Sequence, residues 1–383
     1  MLRRTEETIM GPFIPFARPS IDEETIAGVA EVLRSGWITS GPQVQALEAA
    51  LSQYLGGERL VRLFTSATGA LEVALEVAGI GPGDEVLVPA MTFAASANVV
   101  LRRGASVRFV DVGLRSRNTT AEQFAAAITP RTRALMPVHF AGLPVAMAPV
   151  HALARERGLR VVEDAAHAIG SVDGGRRIGS FGDLVCFSFH PNKNMTTIEG
   201  GALVYADQAL TVPIERARFH GISKDAHGNV DVFGAGGKYN LPDVCARIGL
   251  SQLKQLDGWN ARRRTLVAHY FARLTGRLPP DWLPERGDDG HSWHIFAPLL
   301  PFSTLGFTRD EFIARMRERN IGVGVHYPCL PGLTYYRTLG HDPDAFPNAR
   351  RIGAETVTLP LYPSLTTADV DRVCDALLEL TGR

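Results

Sequence analysis

The sequence predicts an α/β fold: a mostly parallel sheet covered by helices on both faces, followed by a smaller α+β domain. Three observations carry that expectation. Short apolar runs without strict alternation recur between residues 60 and 206, the pattern of strands buried on both faces. Most are separated by enough chain for a helical crossover. After about residue 206 the texture changes, first to a long helical stretch and then to chain rich in Pro, Gly and Asp.

Val44, Leu47, Leu51 and Tyr54 recur at helical spacing, and LVRLFTS (60–66) then reads as a short strand. The segment ATGALEVALEVAG has helical periodicity and stops at Gly79, a residue suited to a helix C-terminus. Further strands are expected at EVLVPA (85–90), SVRFVDV (106–112), RALMPVHF (133–140) and RVVEDAA (160–166), and then at LVCFSF and ALVYA. Residues 242–275 read as one helical region carrying Leu250, Leu253 and Leu256, and HSWHIFAPLL restarts a strand. These patterns divide the chain into an N-terminal arm (1–20), a large α/β domain (21–260) and a small α+β domain (261–383), with the boundary near 260 to 280.

Bulk composition narrows the function classes. The chain has 383 residues, 45% hydrophobic and 21% charged, as in ordinary packed proteins. Lys+Arg and Asp+Glu balance at 40 each, so no basic field points to nucleic acid or to an anionic membrane. Cys186, Cys245, Cys329 and Cys374 lie far apart without CxxC spacing, against a zinc site or a disulfide framework. The opening MLRRTEETIM lacks the apolar stretch of a signal peptide, and no run approaches the roughly 18 to 20 apolar residues of a membrane span. A cytoplasmic location is expected.

Common nucleotide and hydrolase motifs fail on context. Gly79, Gly81 and Gly83 in GIGPGDEV precede a strand instead of joining a strand to a helix, so they read as a turn. There is no GxxxxGK[ST] and no GxSxG. His291 and His294 in HSWH could suggest a metal, but the sequence supplies no further ligands, so structural or substrate contacts are expected and no metal.

Four features fit one chemistry. TSATGAL (65–71) lies where a strand ends and a helix begins, where small residues and free N–H groups hold phosphate; an ordinary N-cap is the simpler alternative. Asp164 ends an apolar strand, and a buried carboxylate needs a partner such as a protonated pyridine nitrogen; otherwise it is a capping residue. His167, three residues on, could bond a ring oxygen. Phe93, after EVLVPA, could cover one face of a flat cofactor or simply belong to the core. Lys193 sits in the polar loop of FSFHPNKNMTTIEGG (187–201), five residues after Ser188, and a lysine held between buried strands is placed to form a Schiff base. Phosphate contacts, a stacking ring, an acid and a lysine together describe a pyridoxal 5′-phosphate (PLP) site.

The sequence also resembles the DegT-type family of PLP-dependent sugar aminotransferases, over nearly its whole length. The resemblance rests on SGWITSGPQVQALE (35–48), TSATGAL, PAMTFAAS, FVDV, PVHFAG, VVEDAAHAIGS, FSFHPNKNMTTIEGG, FHGISKDA (219–226), KYNLPDVCARIGLSQL (238–253), HSWHIF, VGVHYP (323–328) and TLPLYPSLT (358–366). It implies the fold type I architecture, with a mostly parallel seven-stranded sheet. By resemblance, Lys193 holds PLP and shuttles a proton, Asp164 binds the pyridinium nitrogen, His167 the phenolic oxygen side, and Phe93 stacks on the ring. Thr68, Gly69 and Ser188 bind the phosphate, Asn240 reaches the phosphate of a second subunit in a homodimer, and His326 lies near the sugar. Pyridoxamine phosphate is the implied intermediate and L-glutamate the implied donor. FHGISKDA and GKYNLPD look most like enzymes that aminate C4 of a keto sugar nucleotide, nearest in appearance to UDP-4-amino-4-deoxy-L-arabinose synthases, in cell-surface polysaccharide or specialised sugar biosynthesis. Phe93 stands where some relatives carry Trp, Ile198 where many carry Gly, and Gly237 where an aromatic residue is common. Amination at C3, a sugar dehydratase and a non-catalytic relative are the alternatives; dehydratases of this fold replace the lysine with histidine.

Overall fold

The computed structural model describes residues 11–383; the first ten residues of the expected N-terminal arm lie outside the described residues. Among the described residues two helices come first, α1 (Glu23–Ser35) and α2 (Pro42–Tyr54). Alternation then follows: β1 (Leu60–Phe64), α3 (Ala67–Val77), β2 (Glu85–Pro89), α4 (Ala94–Arg102), β3 (Ser106–Val110), α5 (Ala121–Ala127), β4 (Thr132–Leu135), α6 (Met147–Arg157) and β5 (Arg160–Asp164). Two further strands, β6 (Leu184–Ser188) and β7 (Gly201–Tyr205), complete a seven-stranded sheet in the order β1-β7-β6-β5-β4-β2-β3.

The pairings β3–β2, β2–β4, β4–β5 and β5–β6 are parallel, and β7 runs antiparallel to both β6 and β1. The antiparallel end follows from the sequence, because the short loop from 189 to 200 reverses the chain where a parallel neighbour would need a helical crossover. The expected strand over 133–140 is shorter than its apolar run. Pro137 offers no N–H for a ladder, and the chain passes into a tight turn at Phe140–Gly142. GIGPGDEV forms a turn: the Asp84 N–H bonds the Gly81 carbonyl, and the Gly81 N–H bonds the Asp84 carboxylate.

Both faces of the sheet are covered. Phe64, Val86, Val88, Val162 and Cys186 pack with α3 and α4 on one side; Leu63, Leu87, Leu135, Val161 and Val185 pack with α2 and α6 on the other. A third core joins Leu266, Tyr270 and Phe271 to Phe296, Phe312 and the helix Thr367–Thr381. Helix α7 (Thr211–Arg218) precedes the long helix α8 (Asp243–Leu274), which runs unbroken through position 260, where the domain boundary was expected to begin. Its first residue, Asp243, is buried and accepts backbone N–H bonds from Gly41, Gln43 and Val44, capping α2 from another helix.

The loop between β6 and β7 contains one strained backbone position near the site. Ile198 adopts φ 69° with its side chain half exposed. A Cβ in this left-handed region costs about 1–2 kcal/mol, of which glycine's greater unfolded-state entropy takes back about 0.5–1 kcal/mol. Ile198→Gly is therefore expected to raise unfolding stability by roughly 1 kcal/mol. A thermal melt checks this; a lowered midpoint would show that Ile198 makes contacts that outweigh its strain.

Candidate active site

The carboxyl ends of β5 and β6 and the amino ends of α3 and α4 meet around a cavity of about 390 Å³. Ser66, Thr68, Phe93, Asp164, His167, Ser188, Lys193, His326 and Tyr327 all line it. Thus Lys193, Asp164, His167, Thr68, Phe93, Ser188 and His326, picked out along 260 residues of sequence, converge on one pocket.

The lysine loop is held from both ends. The Phe189 N–H bonds Gly200 O at 2.9 Å, extending the β6–β7 pairing, and Thr196 and Thr197 both bond Phe189 O. The Lys193 N–H bonds His190 O in a tight turn. Asn194, the next residue, is buried and donates to Asn260 Oδ1 of α8 at 2.8 Å and to Ser292 O at 3.0 Å. With its neighbour fixed, Lys193 projects into the cavity. Burial lowers its ammonium from 10.5 to about 8, and the Asp164 charge opposes that fall. At pH 7 this leaves about a tenth of the amine neutral, several hundred times more than for an ordinary lysine.

Asp164 is buried at the end of β5, and each of its carboxylate oxygens accepts a bond. Oδ2 takes the Ser96 hydroxyl at 2.7 Å, and Oδ1 takes the Ala166 N–H at 3.1 Å. Ser96 in turn lies 3.0 Å from the Thr92 hydroxyl. Sequence reading quoted PAMTFAAS for Phe93 and missed Ser96, although the same segment carries it. The signal was a small hydroxyl residue one turn after the stacking ring, on a helix beginning at the same sheet edge.

At the phosphate end, Ser66 caps α3, its hydroxyl accepting the Gly69 N–H at 3.1 Å. Gly69 is buried behind the cavity wall with its N–H so engaged, while Ser66, Ala67 and Thr68 line the cavity. Gly201 is required by close approach: a Cβ there would stand 2.5 Å from Ala67 N and Ser66 C. The first turn of α3 with the Thr68 and Ser188 hydroxyls forms an anion cradle. Phe93 precedes α4 with its ring over half exposed, free to cover a flat ligand.

His167 is buried and held well below its ordinary value, by burial first and then by the Lys193 and His326 charges. His326 bonds the Thr358 hydroxyl at 2.9 Å and falls to about 4, again mainly through burial. Both imidazoles are therefore neutral near pH 7 and compete little with Lys193 for protons. Asn240 does not line this chain's cavity; it bridges to Phe64 and donates to Ser40 Oγ at 2.6 Å. Of the HSWH pair, His291 stacks on Trp293 at 3.7 Å and His294 bonds Asn194, so both support the fold around the loop.

The residues present fit PLP: an anion cradle, a desolvated lysine, a buried carboxylate and an exposed aromatic face share one cavity. When bound, PLP supplies an aldehyde that condenses with amines and a ring that draws electrons from the adjacent carbon. The fold and this site define a PLP-dependent transferase of fold type I. The family model of the DegT/DnrJ/EryC1/StrS aminotransferases matches residues 19–378. Spr1654 from Streptococcus pneumoniae, described as a sugar aminotransferase and solved in PLP and pyridoxamine phosphate (PMP) forms, matches in its PMP form at 32% identity with TM-score 0.90, over 97% of this chain and 98% of its own. DesV from S. venezuelae matches at 33% and 0.88, over 97% and 100%. Helicobacter pylori PseC, an aminotransferase of pseudoaminic acid biosynthesis, matches at 26% and 0.89, over 97% and 99%. The chain belongs to the DegT/DnrJ/EryC1/StrS aminotransferase family and is a PLP-dependent sugar aminotransferase.

The lowered lysine predicts a pH dependence for cofactor capture. Only the neutral amine attacks an aldehyde, so the capture rate should rise about tenfold per unit below pH 8 and level off above it. Growth of the visible absorbance after PLP is mixed with the cofactor-free protein reads this directly. A rate still climbing steeply at pH 10 would show that Lys193 is solvated.

Proposed function

We propose that this enzyme moves an amino group from L-glutamate to the carbonyl of a keto sugar nucleotide, at C4, working as a homodimer. The observation that carries the transfer is Lys193, desolvated and facing Asp164 across the cavity. In this reading Lys193 binds the cofactor aldehyde and, once released by the donor, carries the proton between carbon atoms. Asp164, oriented by Ser96 and Ala166, holds the pyridinium proton in place. Thr68, Ser188 and the first turn of α3, with Gly69 shaping that turn, bind the phosphate; Phe93 covers the ring, His167 serves the phenolic side and His326 the sugar.

The sugar nucleotide and the C4 position rest on the likeness of FHGISKDA and GKYNLPD to 4-aminating relatives. The homodimer is supported by Asn240, which does not line its own cavity and lies near exposed Trp37 and Phe219. Trp37 bonds Ser40 O, Ser40 bonds Asn240, and Lys238, which also contacts Asn240, lies 5.1 Å from the Phe219 ring. Among the described residues no helix is long and apolar enough to cross a membrane.

A panel of keto sugar nucleotides offered with L-glutamate, read by product mass for new nitrogen and by NMR for the carbon that carries it, tests the proposal. A product carrying new nitrogen at C4 supports it. Nitrogen at C3 corrects the position, and loss of water without nitrogen replaces the reading with a dehydratase.

A further inference from the structure

The sheet face turned away from the cavity carries a buried polar cluster. Glu163, the residue before Asp164 on β5, is fully buried, and strand alternation puts its side chain on the face opposite Asp164. His139 Nε2 lies 3.2 Å from one carboxylate oxygen, and His151 Nε2, from α6, lies 3.2 Å from the other. His139 is itself fully buried. Its Nδ1 accepts the Val145 N–H at 3.0 Å, so the ring proton sits on Nε2 and is donated to Glu163. Burial pushes the Glu163 carboxyl up, and the bonds from the two imidazoles more than offset that, so the group stays ionised. A Cβ at Gly182 would stand 2.2 Å from Glu163 Oε1, so only bare backbone fits against the carboxylate there. Arg59, bonded to Gly182 O at 2.9 Å, adds an attractive charge.

The segment that carries His139 also grips Asp164 by its backbone. The Asp164 N–H bonds Pro137 O at 2.9 Å, and the His139 N–H bonds Asp164 O at 3.1 Å. Pro137 has no N–H, so the β4–β5 ladder loses a rung just before the site. After the pairs Ala134–Arg160 and Leu135–Val161, pairing resumes only as an isolated bridge between Val138 and Asp164. The His139–Glu163 bond is a side-chain tie across that weakened stretch. His139 also leads into the turn whose Ala141 N–H bonds His167 Nδ1 at 3.2 Å.

We propose that Glu163 is a positioning residue: clamped by His139, it holds the carboxyl end of β5 in register and so fixes Asp164 where the cofactor's ring nitrogen needs it. This rests on the PLP reading of the site, which assigns Asp164 to that nitrogen. Glu163 touches no ligand and acts through the strand alone. An Asp164 whose backbone can shift keeps its charge but loses its alignment, and a hydrogen bond of about 3 Å weakens steeply with misalignment.

PLP affinity by fluorescence titration, read beside the melting midpoint, tests this. Glu163→Leu removes the clamp and should weaken PLP about tenfold. Glu163→Gln keeps it, the amide oxygen accepting from His139 and the NH₂ donating to His151, and should hold affinity within about twofold of the unaltered protein. In an Asp164→Asn background, Glu163→Leu should add less than about twofold, because the residue it acts through is already impaired. Unchanged affinity in Glu163→Leu overturns the proposal and leaves the cluster as packing alone. A Gln variant as impaired as the Leu variant, or a loss undiminished beside Asp164→Asn, overturns it equally. If Glu163→Leu does not fold, Glu163→Asp, whose shorter arm draws the carboxylate away from His139, should weaken PLP about threefold, and an unmoved affinity again defeats the idea. An unaltered protein that binds no PLP would sink the reading of the site itself, a distinct outcome.

Discussion

Lys193→Ala should give a folded protein that binds PLP without linking to it and turns over at least about 10⁴-fold more slowly. Two functions leave with one amine: the group that captures the aldehyde, and the base that moves the proton between carbon atoms. The fold should survive because the loop is held by its neighbours and not by the lysine. Asn194 bonds α8 and Ser292, and Thr196 and Thr197 bond Phe189. The substitution also removes a buried ammonium whose lowered value reports a cost in the folded state. The thermal midpoint should therefore hold or rise while turnover collapses. Turnover by single-turnover assay and linkage by borohydride trapping check both parts, and a variant with near-normal rate would remove Lys193 from the mechanism.

Asp164→Asn is expected to cost on the order of 10²–10³ in turnover and to weaken PLP binding by roughly ten- to a hundredfold. An amide matches the carboxylate in shape but cannot balance a positive ring nitrogen. Its NH₂ must also face either that N–H or one of the donors now serving Asp164. Ser96 can turn to accept from it, since the Ser96 hydroxyl already lies 3.3 Å from Phe93 O and can donate there. Packing should thus be preserved while the electrostatic partner is lost. Cofactor affinity by fluorescence titration, beside the melting midpoint, separates these effects. Unchanged affinity in a stable variant would mean that Asp164 serves only to orient the turn that follows it.

The strand order and the cofactor chemistry were legible to different depths. Apolar runs at 85–90, 106–112 and 160–166 became β2, β3 and β5 within one or two residues, because β2 is buried throughout and the edge strand β3 still buries Val107, Phe109 and Val110. The run at 133–140 gave a shorter continuous strand, since Pro137 lacks the N–H for one rung, although an isolated bridge still pairs Val138 with Asp164 beyond it. Helix α3 was legible at both ends, from Ser66 as its cap and Gly79 beyond its close. The long helix α8 was legible in length. Its tie to the lysine loop through Asn260 was not, because a hydrogen bond across 66 residues leaves no periodic trace.

Within the site, Lys193, Asp164, Phe93 and Thr68 could be read because each sits beside a strand end or loop with a distinctive local pattern. Ser96 and Tyr327 could not, though PAMTFAAS and VGVHYP were both in view. A serine in a helix and a tyrosine in a loop carry no local sign of what they bond. The positive φ of Ile198 left no sign in the sequence either.

The sequence by itself determined the class of fold, the PLP chemistry and several of the residues that line the cavity, because strand periodicity and short motifs are local properties. Tertiary structure alone decided how basic Lys193 is, which donors hold Asp164, and which groups surround His167. Those depend on desolvation and on bond directions between segments far apart in the chain, and neither exists until the cavity has closed around them.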